Sequence, residues 1–281
     1  MMTIPQTFQS FLSSLELTTK QRKEANEQHI RLRIELQKRM KVEDNFLSGS
    51  YARKTAIRPL GDIDVFVVFE RRPGFDPTIP IPTILGEVKR VLDQAFPSKS
   101  ALSQNRSVNI EFSGTGIAYD VVPAFSSRPG VYMVPDRETG RWVKTNPKIH
   151  AELATQANER AGKKLKPLLK AVKHANVHHR KLARSFHLEV LSWKILTRDP
   201  GPYLDGLVAL LQGLAQRIDE PCIDPANLGP DIRPEPDRCR AAKEWLGRMA
   251  KLAAEAKVLD DAKQATAAHA KLRQIFGDQW R

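Results

Sequence analysis

Ser48-Gly49-Ser50-Tyr51-Ala52-Arg53-Lys54-Thr55, followed by Asp62-Ile63-Asp64-Val65-Phe66-Val67-Val68-Phe69, is the stretch that decides the fold. Ile63–Phe69 is β-branched and aromatic, which predicts a buried strand. Strand side chains alternate, so Asp62 and Asp64 share one face while Ile63 and Val65 take the other. Two carboxylates side by side repel each other and suit a hard cation. Ahead of them, Gly49 lets the backbone approach a phosphate closely. Ser50 offers a hydroxyl, and the residues after it could open a helix whose N–H groups face an anion. An Asp-x-Asp pair alone is common, and so is a Gly-Ser pair. Joined by a basic stretch running to Arg58, the two make a far more specific pattern. Acids set among buried-type residues are also costly if left unpaired.

A third acid, Asp120, lies between Tyr119 and Val121. Ser107–Phe112 alternates like a strand, Ser113–Gly116 reads as a turn, and Ile117–Pro123 as a second strand, which together predict a hairpin. If Ile117–Pro123 pairs beside Ile63–Phe69, three carboxylates converge. Mg²⁺ prefers an octahedron of oxygens and usually shares it with substrate phosphates. A three-acid cluster suits two ions ~3.5–4 Å apart, one activating an attacking hydroxyl and one gripping a triphosphate. The plainer reading is that Asp62 ends a turn and Asp64 caps a neighbouring segment.

Outward from this centre, residues 17–41 read as a long helix. Thr18 or Thr19 caps it, and Leu32, Leu36 and Met40 recur at helical spacing. It is polar elsewhere, so it is expected along the outside of a lobe. Arg72–Pro82 is a Pro/Gly-rich loop, and Ile84–Ala95 has helical periodicity. From about Pro147 the character changes to Ala/Leu/Lys-rich helices: Leu153–Glu159, Lys164–His174, Ser185–Leu196, Gly206–Ile218, Asp237–Ala256 and Asp260–Phe276. Asp224–Pro236 carries four prolines and reads as an extended surface segment. The fold class is therefore α+β. It comprises an N-terminal helical segment (1–41), a mixed-sheet core (42–150) and a helical C-terminal lobe (151–281).

The 281 residues carry a net charge of +13, which favours polyanionic partners: nucleotides, nucleic acid or an anionic membrane. No apolar run approaches the ~20 residues that span a bilayer. No helix combines a broad aromatic face with a basic one, so no membrane partner is expected. Met1–Gln6 lacks a secretory pattern, and the expectation is a cytoplasmic protein. Cys222 and Cys239 cannot make a disulfide framework or a closely spaced zinc site, so they read as reduced thiols.

Gly49-Ser50-Tyr51-Ala52-Arg53-Lys54-Thr55-Ala56-Ile57, Asp62-Ile63-Asp64-Val65 and Asp120-Val121-Val122-Pro123 resemble the polymerase-beta-like nucleotidyltransferases. Within these the chain resembles the CD-NTase branch, bacterial relatives of cyclic GMP–AMP synthase and oligoadenylate synthase. Three later features carry the narrower resemblance. Thr145-Asn146-Pro147-Lys148-Ile149-His150 resembles the branch's Thr-Asp-Pro-Lys-x-His turn, with Asn146 where Asp is usual. Lys173, after Leu168-Leu169, matches a helical lysine that grips the triphosphate. Arg184-Ser185-Phe186-His187-Leu188-Glu189 resembles the Lys-Ser-Tyr-His-Leu-Glu segment. Asp224-Pro225 and Phe276-Gly277 are similar to the branch's C-terminal lobe, and the resemblance covers roughly residues 40–280.

The resemblance implies that Asp62, Asp64 and Asp120 bind Mg²⁺, with Mn²⁺ as a substitute, and that Asp120 also helps deprotonate the acceptor hydroxyl. Gly49 and Ser50 would bind the β/γ phosphates. Lys173 and Ser185 would contact the triphosphate, and Phe186 would stack on a base. Substrates would be nucleoside triphosphates: ATP, with GTP, UTP or CTP open. The implied product is a cyclic di- or trinucleotide that acts through a downstream effector in antiphage (CBASS) signalling. A regulatory nucleic acid is left open as a partner.

Each residue also has a plain structural reading. Lys173 sits in a lysine-rich run that would be a solvated helix face. Ser185 would cap a helix, and Phe186 would be core. Asn158 would read a base edge or simply decorate a helix. His174, His178 and His179 would bind metal, face phosphate or be solvated. Two other functions stay open: template-free transfer to RNA or another acceptor, and an inactive nucleic-acid-binding module. The C-terminus lacks the small residue of branch members that become conjugated to other proteins, which argues against conjugation here.

Overall fold

Among residues 2–281, which the computed structural model describes, the elements run in chain order. They are α1 (Ile4–Leu15), α2 (Thr19–Arg39), β1 (Val42–Leu47), α3 (Gly49–Ala52), β2 (Asp62–Phe69), α4 (Ile81–Ala95), β3 (Leu102–Ser103), β4 (Val108–Phe112), β5 (Ile117–Arg128), β6 (Val131–Asp136) and β7 (Arg141–Thr145). Then come α5 (Pro147–Arg160), α6 (Leu165–His178), α7 (Ser185–Ile195), α8 (Tyr203–Arg217), α9 (Pro236–Asp261), α10 (Ala265–Phe276) and a 3₁₀ turn over Gly277–Gln279. They fall into two units. The sheet unit holds Leu17–Ala56 and Leu60–Ala151; the helical unit holds the residues up to Glu16, Ile57–Pro59 and Glu152–Arg281.

The sheet runs β1-β2-β5-β4-β3, with β6 added on the second half of β5 and β7 on β6. β2 and β5 are parallel, and every other pair is antiparallel, so the sheet is mixed as expected. A parallel pair buried on both faces reads as an unbroken apolar run. That explains why β2 lacks alternation after Asp64. Ile63, Val65, Val67 and Phe69 pack with Val121 and Phe125 of β5 and with Ile84, Leu85, Val88, Val91 and Leu92 of α4. Phe66 and Val68 pack on the other face with Val122, Ala124, Tyr132 and Val134. Asp62 and Asp64 belong to this second face, at the end where the apolar cover stops.

The long helix α2 starts in a capping box. The Thr18 hydroxyl accepts from Gln21 N at 3.1 Å, and Thr18 N donates to the Gln21 side chain at 3.0 Å. Its buried stripe is Ala25, His29, Leu32 and Leu36. The Tyr119 hydroxyl donates to Ala25 O at 2.8 Å, tying α2 to β5. Four features lie outside the sequence reading: α1, β1, β3 and the β6–β7 hairpin. β1 reads Val-Glu-Asp-Asn-Phe-Leu, an edge strand whose acids hide its pairing with β2. The segment 224–236 has no helix or strand before Pro236, but Asp224 is buried and its Oδ2 accepts from Leu228 N and Gly229 N.

In the helical unit, α1 packs with α5 to α10 around one core. Phe8, Phe11, Phe276 and Trp280 form its aromatic centre: Phe8 meets Trp280 edge-on at 4.8 Å, and Phe276 stacks on Trp280 at 5.5 Å between ring centroids. Among the described residues, no helix is long and apolar enough to cross a membrane.

Candidate active site

The parallel register pairs Asp62 with Ala118 and Asp64 with Asp120. All three acids therefore stand on one face of two neighbouring strands. Across the β4–β5 hairpin, Asn109 is the register partner of Asp120. One amide nitrogen of Asn109 donates to Asp120 Oδ1 at 2.8 Å and reaches Asp62 Oδ1 at 3.4 Å. Sequence reasoning missed Asn109. The signal was available: a turn at Ser113–Gly116 sets Phe112 opposite Ile117, and counting back from there sets Asn109 opposite Asp120.

The loop before β2 is fixed to the same strand. Ser48 N donates to Asp64 O at 2.8 Å. Gly49 then sits at φ +60°, and a Cβ built there would lie 1.6 Å from Asp64 Oδ2. No residue but glycine fits both the backbone and the space. The loop closes on itself, with Thr55 N and Ala56 N both donating to Ser50 O at 2.9 and 3.1 Å. The helix expected after Gly49 is the single turn α3, so its macrodipole is small and local backbone N–H groups carry any anion affinity.

Burial, first, and then the Asp120 charge push the Asp64 carboxyl up to about 6; Arg53 opposes this and Asp62 adds to it. Asp120 is raised by burial, held back by the Asn109 amide and raised again by Asp62. Asp64 thus feels both other acids and Asp120 feels Asp62, the mutual repulsion expected of clustered carboxylates. Arg53 is buried beside them. Among the described residues, no three or more His, Cys, Asp or Glu side chains are grouped so as to hold a metal ion by themselves, the three acids included. The three carboxylates share one face of two paired strands. Such an arrangement fits Mg²⁺, which keeps several waters and takes oxygens from phosphates rather than from an all-protein cage.

The remaining candidates lie in the helical unit. Lys173 on α6 is buried rather than on a solvated face, and its ammonium pairs with Glu189 of α7 at 3.2 Å. Ser185 is the first residue of α7, one past the N-cap Arg184; Phe186 follows it, half-buried, edge-on to Trp193 at 6.5 Å. Asn158 is a capping residue, because its Oδ1 accepts from Lys166 N at 2.9 Å at the start of α6. His174 and His179 contact the last carbonyls of α10, Phe276 O at 3.1 Å and Ile275 O at 3.2 Å, and no metal cluster forms around them. Back in the sheet unit, Asn146 Oδ1 accepts from Ile149 N at 3.0 Å, so Asn caps α5 as Asp would.

Residues 2–158 match the Second Messenger Oligonucleotide or Dinucleotide Synthetase domain. A cyclic AMP-AMP-AMP synthase of Acinetobacter sp. (strain ATCC 27244 / 9458) is 30% identical over 227 residues, 75% of this chain and 64% of that protein. The chain thus spans less than two thirds of that relative, and 52% and 37% of two further curated relatives. In fold it resembles E. coli MS115-1 CdnC, solved in complex with HORMA-deltaN, at TM-score 0.79 and 21% identity over 98% of both chains. It also resembles the apo form of Vibrio cholerae DncV, at TM-score 0.76 and 13% identity over 99% of this chain and 96% of that one.

Proposed function

The chain belongs to the Second Messenger Oligonucleotide or Dinucleotide Synthetase family, and from that membership we propose that it joins nucleoside triphosphates, with release of pyrophosphate, into a cyclic di- or trinucleotide. The observation that carries the reading is the pairing of Asp64 with Asp120 across β2 and β5, with Gly49 against the Asp64 carboxylate. Asp62, Asp64 and Asp120 would hold Mg²⁺, for which Mn²⁺ can substitute; when bound, the ion supplies positive charge against the triphosphate and the leaving pyrophosphate. Gly49 brings loop backbone up to the β/γ phosphates, and Ser50 adds its hydroxyl. Asn109 occupies Asp120 Oδ1, leaving Oδ2 to take the proton of the attacking ribose hydroxyl. A carboxylate raised by burial is a better base than one at its ordinary value.

The family resemblance would give Lys173 and Ser185 to the triphosphate; within the helical unit, the Lys173 ammonium donates to Glu189 at 3.2 Å. Phe186 stacks on a base, a contact worth ~1–3 kcal/mol. The protein mainly positions groups and neutralises charge. The product then acts through a separate effector, in the antiphage role that the family resemblance implies.

The test is incubation with Mg²⁺ and all four nucleoside triphosphates beside an Asp62→Ala/Asp64→Ala control, followed by phosphatase and mass spectrometry. A phosphatase-resistant product without terminal phosphates, absent from the control, supports the reading. The Acinetobacter relative's name makes a cyclic trimer of AMP the first product to seek. Incorporation into added tRNA or duplex RNA, with no cyclic product, replaces it with transfer to RNA. Silence with nucleic acid and with a HORMA-type protein added, as in the CdnC complex, leaves a nucleic-acid-binding module suited to the +13 charge.

A further inference from the structure

Beyond the far end of β2 lies a second concavity of about 560 Å³, wholly within the sheet unit. Three parts of the fold build it: Arg71, Arg72 and Thr78 from the loop after β2, Ser127 from the end of β5, and Met133 and Lys144 from β6 and β7. From Asp64 to Arg71 the chain runs on the order of 20 Å at strand rise, so this is not the acid site.

Two of the three cations have contacts of their own. Arg71 Nη2 donates to Ser126 O at 2.5 Å. The Arg72 guanidinium stands 4.8 Å over the Phe75 ring, and the two residues exchange backbone hydrogen bonds of 3.2 and 2.8 Å that close the turn between them. None of Arg71, Arg72 and Lys144 makes an ion pair within 4.0 Å among the described residues. The neighbouring acid, Asp76, accepts from Thr78 N and Oγ1, and Thr78 with Arg71 keeps its carboxyl below the usual range. One acid therefore faces three cations. Other concavities differ. The one around Cys239 neutralises itself through Arg233–Asp231 and Lys243–Asp219, and the one around Lys89 through Lys89–Asp93.

We propose that this concavity is a second, non-catalytic binding site for a phosphate-bearing small molecule of nucleotide size. Guanidinium forks match phosphate oxygens bidentately, and Lys144 adds a point charge. The Ser127 and Thr78 hydroxyls supply further donors, and Met133 gives an apolar wall. The hollow is shallow and open to solvent, so a ligand there would be held by its phosphates rather than enclosed. A nucleic-acid backbone needs a row of cations along a surface; these three converge on one hollow. The proposal does not depend on the chain's catalytic reading.

The experiment is calorimetric titration of ATP in EDTA, where no divalent ion can bridge triphosphate to the acids. It compares the unaltered chain, Arg71→Ala/Arg72→Ala/Lys144→Ala, and Asp62→Ala/Asp64→Ala. One ATP should bind per chain in the first and third proteins, and at least about tenfold more weakly in the triple variant. Inorganic tripolyphosphate should compete and adenosine should not. The substituted residues are exposed, so the triple variant should keep its thermal midpoint. Lys144→Glu alone should weaken binding in the same direction. Absence of ATP binding, binding unchanged in the triple variant, or loss in the acid variant would overturn the proposal. So would duplex DNA binding through the same three cations where ATP does not.

Discussion

At Gly49 a single methyl group meets two penalties. The backbone at φ +60° costs a non-glycine residue about 1–2 kcal/mol. The added Cβ would also press on the Asp64 carboxylate, so that group or the loop must move. Gly49→Ala is expected to lower product formation about 100-fold, because misplacement of a catalytic group by about 1 Å has that effect; steady-state assay of the folded variant checks it. Asp64 sets a pH dependence. Its carboxyl titrates near 6 in the folded chain against 3.8 in the unfolded one, so the folded state holds the proton more tightly. Stability from this group is present at low pH and is lost as pH rises through about 6. In EDTA, Asp64→Asn should therefore gain on the order of 1–3 kcal/mol at pH 7.5, roughly half of that at pH 5 and little near pH 3, read by urea unfolding. Asn109→Leu removes the amide that separates Asp62 from Asp120. The concentration of Mn²⁺ giving half-maximal rate should rise about 10–100-fold, as for other groups that orient metal ligands. At this scale the sequence showed the acids and the glycine, because their chemistry is local. Asn109 was hidden because its meaning comes from a strand partner.

At the scale of elements, the boundaries that sequence reveals are those with side-chain signals. Thr18 and Gln21 announce α2, and the β-branched run announces β2. The β4–β5 hairpin was legible from its turn. β5 runs on to Arg128, past the expected end at Pro123, because its second half pairs with β6 rather than β4. Pro123 is tolerated there without ending the strand. β1 stayed unread because an edge strand of mixed polarity looks like a loop. Asn146 settles a departure from the family pattern in energetic terms. Its side chain already caps α5, so Asn146→Asp should leave the thermal midpoint nearly unchanged, while Asn146→Ala should cost ~1 kcal/mol. Thermal melts of the three proteins read both effects.

Across the whole molecule, composition changes at about residue 150, where alternating and apolar runs give way to Ala/Leu/Lys periodicity, while the expected N-terminal segment 1–41 is shared between the two units, divided after Glu16. What composition does not carry is that α1 belongs to the helical core. Ile4, Phe8, Phe11 and Leu15 have helical spacing, but their partners, Phe276 and Trp280, stand at the opposite end of the sequence. Trp280 is fully buried and its Nε1 donates to His269 Nδ1 at 3.1 Å. Trp280→Ala should cost about 3–5 kcal/mol, measured by urea unfolding followed through α-helical ellipticity. The same arrangement orders events during synthesis. The sheet unit's residues have all left the ribosome once Ala151 has emerged, so the acids can be assembled early. The helical unit must wait for Trp280 to complete its core, and until then a nascent chain leaves Phe8 and Phe11 with only part of their cover, from Tyr203 and His174. A chain cut short of that residue would leave the apolar stripe of an N-terminal helix partly exposed, a surface of the kind that chaperones bind.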